Sequence, residues 1–235
     1  QTCINMYPEV TQDSQKTVAA LLPTPAMSTL FDKGIAGKCR AFTAVSNGSL
    51  YAVYGNALYK LDDKFDALPL AALDGVSPVI VAENSLFACF VTDAAVFTLN
   101  MQTNEWAQYG EQLTFEADDV VTLAQRFIFN KRGTGQIYWT DTLSTNIDPL
   151  NYATAEASPD NVTALKVHQK MLWVFGELTV EIWYATGNND APFVPMQGTT
   201  IYAGCLLRHT IRKFGESLVW MANSENGNCQ IVMTQ

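Results

Sequence analysis

The sequence predicts an all-β fold, a β-propeller built of four-stranded antiparallel blades. One hairpin pattern recurs five times along the 235 residues, and its first strands begin at positions 50, 86, 127, 172 and 218. The intervals of 36, 41, 45 and 46 residues fit the repeat of roughly 40 to 50 residues that is typical of propellers. Helix signals are weak, and the alternative fold, a β-sandwich, does not require such regular units.

Each hairpin begins with a continuous apolar run, which indicates a strand buried between blades. These runs cover residues 50–54, 86–90, 127–129, 172–175 and 218–221. A polar or glycine-containing turn and a second apolar strand follow each run. Gly55-Asn56 has the composition of a two-residue hairpin turn.

A shorter apolar segment precedes each hairpin, and in the first four units a more polar segment follows it. Such a gradient is what a blade requires, because its inner strands are buried and its outer strand faces water. The predicted blades are residues 41-71, 78-113, 119-157, 161-201 and 205-235, the last of them incomplete. We therefore expect about five blades' worth of a six-bladed or larger ring, and hence part of a longer polypeptide.

The first forty residues hold two further strand candidates, residues 4–7 and 18–22. The helix candidate at residues 15–22 is short and is followed by Pro23 and Pro25, so we interpret it as extended. An open propeller leaves unpaired sheet edges, which favour aggregation. We predict that residues 1-40 supply amino-terminal strands that complete the closing blade.

The composition favours a folded domain and disfavours binding to nucleic acid. Hydrophobic residues make up 48% and charged residues 16%, which is enough apolar material for a core and too little charge for disorder. The formal net charge is −9, whereas binding to a phosphate backbone needs clustered Lys and Arg. A negative surface can still line a DNA passage, because repulsion keeps nucleic acid from adhering.

The metal-ligating residue types are too dispersed to predict a metal or a cofactor. Cysteine occurs five times without a CxxC, which argues against both a disulfide framework and a zinc site and favours reduced thiols of intracellular origin. Cys89 lies in an apolar strand and is expected to be buried. His168 and His209 have no second ligand at suitable spacing and are interpreted as loop histidines. Asp118-Asp119 lacks a calcium-loop pattern and is interpreted as solvated.

The sequence also lacks a catalytic pattern. Glu177 and Glu181 flank a hairpin turn, and paired carboxylates can do acid–base chemistry. One belongs to the turn and the other to an alternating strand, so we predict no catalytic role for them. Nucleophile-elbow, phosphate-loop and dinucleotide motifs do not occur. We therefore predict that the chain is not an enzyme.

The sequence also has no apolar run long enough to span a membrane.

Trp183 and Tyr184 are the one pair of side chains that suggests an interface. Adjacent strand residues face opposite sides of a sheet, so at least one of the two rings points away from the inner face. Aromatic side chains of this kind often anchor protein interfaces. We predict that Trp183 and Tyr184 contribute to a partner interface.

Five stretches of the sequence, taken in order, form a specific succession. They are residues 4–9 (Ile-Asn-Met-Tyr-Pro-Glu), 22–25 (Leu-Pro-Thr-Pro), 37–42 (Gly-Lys-Cys-Arg-Ala-Phe), 49–60 and 173–187. This succession resembles the packaged-DNA stabilisation proteins of short-tailed bacteriophages, also called tail accessory factors or nozzle proteins. The similarity extends over nearly the whole chain.

The resemblance implies a propeller subunit of a hexameric ring in the virion tail, assembled in the host bacterial cytoplasm. It implies contacts with the portal and adaptor (head-to-tail) proteins and with the tail needle or plug. Packaged DNA would pass nearby without sequence-specific binding and be retained until ejection. Family members are longer, so a carboxy-terminal part is expected to be missing, and Ala26-Met27 stands where the family often has Gly-Leu. No catalytic residues follow from the resemblance, because the family is structural.

Two other functions remain open from the residues alone. The many aromatic side chains would suit a carbohydrate-binding or carbohydrate-active β-propeller, either a receptor-binding protein or a glycosidase. A host protein-interaction propeller of the WD or kelch kind is disfavoured, because the Trp-Asp and Gly-Gly signatures of those repeats are missing.

Overall fold

The computed structural model describes residues 6–13, 16–23, 37–110, 113–223 and 229–234. The chain divides into two compact units, Gln1–Ile35 and Ala36–Gln235. In the first unit, strands β1 (Met6–Asp13) and β2 (Lys16–Pro23) pair as an antiparallel hairpin. The extended interpretation of the helix candidate is therefore confirmed over the residues described. The role of residues 1-40 in closing a ring stays a prediction.

In the described part of the second unit, five antiparallel sheets follow one another along the chain. Blade 1 consists of β3 (Cys39–Ala44), β4 (Leu50–Tyr54), β5 (Ala57–Leu61) and β6 (Ala67–Ala72). Blade 2 consists of β7 (Ile80–Glu83), β8 (Phe87–Val91), β9 (Val96–Asn100) and β10 (Trp106–Gln108). Blade 3 consists of β11 (Ala117–Leu123), β12 (Arg126–Lys131), β13 (Gln136–Trp139) and β14 (Tyr152–Thr154).

Blade 4 consists of β15 (Val162–His168), β16 (Met171–Gly176), β17 (Val180–Ala185) and β18 (Phe193–Pro195). Blade 5 has three described strands, β19 (Arg212–Phe214), β20 (Ser217–Ala222) and β21 (Gln230–Met233), and a 3-10 turn at Arg208–Thr210 precedes it. Within each blade the strands pair in chain order. The all-β class and the four-stranded antiparallel blades are confirmed, whereas the predicted blade limits and the size of a complete ring stay predictions.

A hydrophobic core lies at each of the four boundaries between successive blades. Val53 and Phe90 meet between blades 1 and 2, and Val91 and Phe129 meet between blades 2 and 3. The next two boundaries are filled in the same way, by Ile128 with Val174 and by Phe175 with Trp220. The sheets therefore stack face to face, with apolar side chains from both neighbours in each core.

Strand β16 shows why the second strand of a blade is a continuous apolar run. Leu172 and Val174 lie in the core between blades 3 and 4, whereas Trp173 and Phe175 lie in the core between blades 4 and 5. Successive side chains of a strand point to opposite faces, and both faces are buried here. Each such side chain contributes about 1.5 to 3 kcal/mol of hydrophobic stabilisation.

In blades 1, 3 and 4 the first strand begins with an irregularity in its pairing. The register of β3, β11 and β15 shifts between Cys39 and Ala41, between Ala117 and Val120, and between Val162 and Ala164. A bulge leaves backbone groups without ladder partners and redirects side chains. Strand β11 contacts the first strands of both neighbouring blades, β7 and β15, so its bulge lies close to a blade boundary.

Asn130 on β12 supplies the hydrogen bonds that the β11 bulge leaves open. Its Oδ1 accepts the backbone N–H groups of Asp118 at 3.0 Å and Asp119 at 2.7 Å. Its Nδ2 donates to the carbonyl oxygen of Val162, at the start of blade 4, at 3.1 Å. The side chain is fully buried. One carboxamide thus completes blade 3 and joins it to blade 4.

We expect Asn130→Ala to lower the free energy of unfolding by about 2 to 4 kcal/mol, because it leaves buried backbone groups without partners. Chemical denaturation of the purified chain measures this change. Asn188→Ala is the matched control, because Asn188 is exposed and its Oδ1 accepts only the local N–H of Asp190 among the bonds described. Equal losses for the two variants would contradict a linking role for Asn130.

Two of the tight turns contain residues that seldom adopt the required conformation. Ala124-Gln125 joins β11 to β12 with φ of 50° and 59°, and Gln169-Lys170 joins β15 to β16 with φ of 50° and 62°. A two-residue hairpin turn of type I′ needs positive φ at both positions, which favours Asn-Gly. A left-handed conformation costs an L-residue other than glycine about 1 to 2 kcal/mol.

Replacing Ala124-Gln125 by Asn-Gly is therefore expected to raise the free energy of unfolding by about 1 kcal/mol. The reverse change, Gly55→Ala, is expected to lower it, because Gly55 has a φ of 54° in the turn between Tyr54 and Ala57. Denaturant midpoints of the two variants and the parent chain provide the comparison. An unchanged or lower stability of the Asn-Gly variant would show that these turns are not strained.

Candidate functional site

The predicted interface pair is split between the interior and the surface. Trp183 is 2% exposed and lies in the core between blades 3 and 4. Its indole N–H donates to Oε2 of Glu181 at 2.9 Å. Tyr184 is 40% exposed, as the opposite orientation of neighbouring strand residues requires. Tyr184 is thus the member of the pair that a partner can contact directly, and an interface role for the pair stays a proposal.

Glu177 and Glu181 have separate partners. Oε1 of Glu177 accepts the side-chain N–H of Asn161 at 3.1 Å. Glu181 is buried, and its second oxygen, Oε1, accepts the backbone N–H of Ala157 at 2.8 Å. Both oxygens of Glu181 are therefore engaged by donors of the protein itself, which is how a structural carboxylate is held.

The interpretation of Asp118-Asp119 as a solvated pair is wrong for Asp119, which is fully buried in the β11 bulge. Its two oxygens accept the backbone N–H groups of Leu165 on blade 4 and of Val120, each at 2.9 Å. Burial raises the pKa of the Asp119 carboxyl, and the positive charges of Lys166 and Arg208 act in the opposite direction. Because the pKa is higher in the folded than in the unfolded state, folding favours the protonated carboxyl. The resulting contribution to stability is fully present below the ordinary carboxyl pKa and is lost as the pH rises through the raised pKa.

The residues considered as metal ligands also lie apart. His168 is buried at the end of β15, with its ring 6.0 Å from that of Trp173, so its interpretation as a loop histidine is wrong. Cys89 is fully buried as expected, and burial raises the pKa of its thiol well above the usual value. Cys3 lies outside the described residues. Within the described ranges, no three His, Cys, Asp or Glu side chains cluster as metal ligands, and no helix has the length and apolar character to cross a membrane.

A groove of about 630 Å³ lies between the outer parts of blades 3 and 4. We call it the outer groove; its lining includes strands β14 and β18 and the side chains of Trp139, Glu156, Glu181, Trp183 and Asp190. The residues come from two blades that are about forty positions apart in the sequence, so the sequence alone does not bring them together. Trp139 and Trp183 are buried, whereas Glu156 and Asp190 are exposed.

One face of blade 5 carries exposed apolar side chains. Met221 pairs across the strands with Ile231, and Val219 pairs with Met233, so these residues share a face. Ile231 is 78% exposed and Met233 is 54% exposed. Blade 4 buries a comparable apolar face against blade 5. The blade 5 face is therefore a candidate contact surface for another β-sheet.

Several solved structures resemble the chain in fold. Virginiamycin B lyase from Staphylococcus aureus has a TM-score of 0.56 at 10% identity, with 84% of this chain and 69% of that chain covered. YCF48 bound to D1 peptide has a TM-score of 0.56 at 14% identity, with 92% and 68% covered. Hsv2 from Kluyveromyces lactis has a TM-score of 0.55 at 15% identity, with 88% and 62% covered. At these identities the likeness shows the fold alone.

The comparison of sequences is more specific. No curated protein matches the chain. The model of one protein family, described as Bacteriophage P22 Gp10, beta-propeller, matches residues 1–235. The match covers all of the sequence and confirms the resemblance to the packaged-DNA stabilisation proteins of phages. The chain belongs to this phage-stabilisation family of structural β-propellers.

Proposed function

We propose that the chain is a nozzle or tail accessory subunit, which forms a hexameric ring below the portal–adaptor assembly and helps to retain packaged DNA until ejection. In this proposal the ring also meets the tail needle or plug. The observation that carries the proposal is the family match over residues 1–235. Three physical features support it: the close packing of the blades, the arginine side chains that are bonded within the chain, and the exposed apolar surfaces.

A ring subunit that holds back DNA must resist deformation, and the packing of the blades suits this task. Successive blades share hydrophobic cores, and close packing of such interiors gives low compressibility. Directional bonds cross the same boundaries. Arg126 on β12, for example, donates to the carbonyl oxygen of Thr140 at 2.7 Å and to Oδ1 of Asn189 beyond β17 at 2.8 Å.

The charge distribution suits passage of DNA without adhesion. Besides Arg126, Arg40 is buried and Arg208 donates to the carbonyl oxygen of Asp118. Arg132 pairs with Glu116 at 2.5 Å and with Asp118 at 2.7 Å. These guanidinium groups are engaged within the chain, so they add little to a phosphate-binding surface. The net charge of −9 would then repel DNA that moves past the ring.

The exposed apolar surfaces suit assembly. Obligate oligomer interfaces bury more than about 2,000 Å² and are more hydrophobic than the rest of the surface. The exposed face of blade 5 and the ring of Tyr184 are apolar surfaces that a neighbouring protein could cover. In our proposal, assembly takes place in the host bacterial cytoplasm, and the assembled ring resides in the virion tail.

We also propose that the chain is not an enzyme. The two carboxylates considered for acid–base chemistry, Glu177 and Glu181, accept N–H groups of the protein itself: Glu177 from the side chain of Asn161, and the buried Glu181 from the backbone of Ala157 and the indole of Trp183. A general acid or base must instead be within reach of a substrate proton. Screening the chain for glycan binding and cleavage tests the carbohydrate alternative. Cleavage would contradict this proposal, whereas binding alone would favour a carbohydrate-binding propeller.

The tail function is tested by purifying tails from particles emptied of DNA and measuring their subunit composition by mass. We expect the chain in those tails, in a copy number that corresponds to a hexameric ring. The portal protein in the same particles provides the internal standard. A chain that is absent from tails and free in the lysate would overturn the proposal.

The interface role is tested by Tyr184→Ala. Loss of an aromatic anchor is expected to raise the dissociation constant of the ring about 10-fold, which corresponds to about 1.4 kcal/mol. Sedimentation equilibrium measures the constant, and the denaturant midpoint verifies that the fold is retained. Tyr202→Ala is the control, because Tyr202 is 71% exposed and lies outside the predicted pair. Equal effects of the two variants would argue against a specific role for Tyr184.

A further inference from the structure

We propose that the outer groove binds an extended, lysine- or arginine-bearing polypeptide segment of a partner protein. The groove is large enough for a ligand, since binding pockets are typically about 300 to 1,000 Å³ and this one has about 630 Å³. The groove lies between the outer parts of two blades and is partly open to solvent. The inference goes beyond the proposed tail function and does not depend on a ring being formed.

The first reason is the charge of the groove. Glu156, Glu181 and Asp190 line it, and its described lining contains no Lys, Arg or His. Glu181 is buried, its two oxygens accept the N–H groups of Ala157 and Trp183, and it has no ion pair with any residue of the described chain. Both donors are neutral, so a cation in the groove would add a favourable charge interaction. The exposed carboxylates of Glu156 and Asp190 add to the attraction for a cation.

The second reason is a hydrogen-bond donor without an acceptor. Trp139 lines the groove and is 3% exposed, yet its indole N–H has no partner within the described protein. Buried polar groups in folded proteins are nearly always hydrogen-bonded. The nitrogen itself is buried, so an occupant that satisfies it must displace the side chains over it and supply an acceptor as well as a positive charge. A backbone carbonyl supplies the acceptor, whereas an ammonium group has donors only.

The third reason is the pair of strand edges beside the groove. Strand β14 pairs only with β13, and β18 pairs only with β17, so each has one edge without a strand partner in the described sheets. An extended peptide can bind such an edge through its main chain. Its side chains alternate with a period of two, so cationic side chains at every second position would point the same way. An extended basic segment thus meets all three requirements of the groove.

Other ligand classes satisfy fewer of these requirements. Nucleic acid carries the same sign of charge as the groove and would be repelled. A polyamine would neutralise the carboxylates but would leave the indole N–H of Trp139 unpaired. A neutral sugar would supply acceptors but would not compensate the charge of Glu181. These classes serve as competing outcomes in the test.

The test measures binding of defined probes to the purified chain by titration calorimetry. The probes are acetylated and amidated heptapeptides that alternate valine with lysine, arginine or glutamate, together with spermidine and cellohexaose. We expect the lysine and arginine peptides to bind with a dissociation constant below about 1 mM, and the glutamate peptide not to bind. Added salt should weaken the binding, because exposed charges contribute to it.

Variants then locate the binding. The double variant Glu156→Gln with Asp190→Asn is expected to raise the dissociation constant of the lysine peptide about 10-fold. Trp139→Phe, which removes the indole N–H, is expected to raise it about 5-fold. The matched control is Asp63→Asn with Glu105→Gln, because both residues are exposed acids outside the groove. If Trp139→Phe does not fold, the double variant retains the test.

Several results would overturn the proposal. They are equal binding of the lysine and glutamate peptides, no peptide binding at the highest soluble concentration, and peptide binding that the double variant leaves unchanged. Binding of spermidine alone would show that charge without a main chain is enough. Binding of cellohexaose alone would identify a sugar site. None of these results would bear on the presence of the chain in tails, which the composition of purified tails decides.

Discussion

The arrangement of the blades depends on polar side chains at the bulged starts of the first strands. Nε of Arg40 donates at 2.8 Å to the carbonyl oxygen of Ser77, which lies just before blade 2. Asp119 accepts the N–H of Leu165 in blade 4, and Thr163 donates to the carbonyl oxygen of Cys205 before blade 5. Hydrophobic contact between two sheets is non-directional and would tolerate sliding. Hydrogen bonds weaken steeply when they are misaligned, so these three fix how the sheets meet at three of the four boundaries.

The hydrogen bond of Arg40 depends on a glycine beside it that leaves room for the guanidinium group. Gly75, with a φ of +110°, lies so close to Arg40 that a Cβ there would be 2.8 Å from Nη2 of the arginine and 2.3 Å from Oδ1 of Asp93. A side chain at this position would therefore displace the buried guanidinium group. The same Asp93 oxygen accepts the N–H of Val76 at 2.9 Å. A single residue without a side chain thus allows the bond between blades 1 and 2 to form.

The repeated strands and one of the turns could be predicted from the sequence, whereas the bulges, the remaining turns and the outer groove could not. Continuous apolar runs such as 172–175 predict strands buried on both faces, and Gly55-Asn56 predicts a two-residue turn that the pairing of Tyr54 with Ala57 confirms. Asp119 was misjudged because an acidic pair looks solvated unless the bulge beside it is known. Ala124-Gln125 gives no turn signal, since tertiary packing overrides the preference of these residues. The outer groove combines two blades, so no local pattern marks it.

Most sheet faces are buried between blades of the same chain, and this restricts where a partner can bind. At each boundary between described blades both sheet faces are buried, and the buried carboxylates of Asp119 and Glu181 hold other parts of the protein. On the five described blades, a partner must therefore contact the rims, the outer strands or the outward faces of the first and last blades. In a propeller of this kind, specificity depends on the short outer strands and on the loops. Tyr184 and the carboxylates of the outer groove belong to that outer layer, where they can change without disturbing the cores.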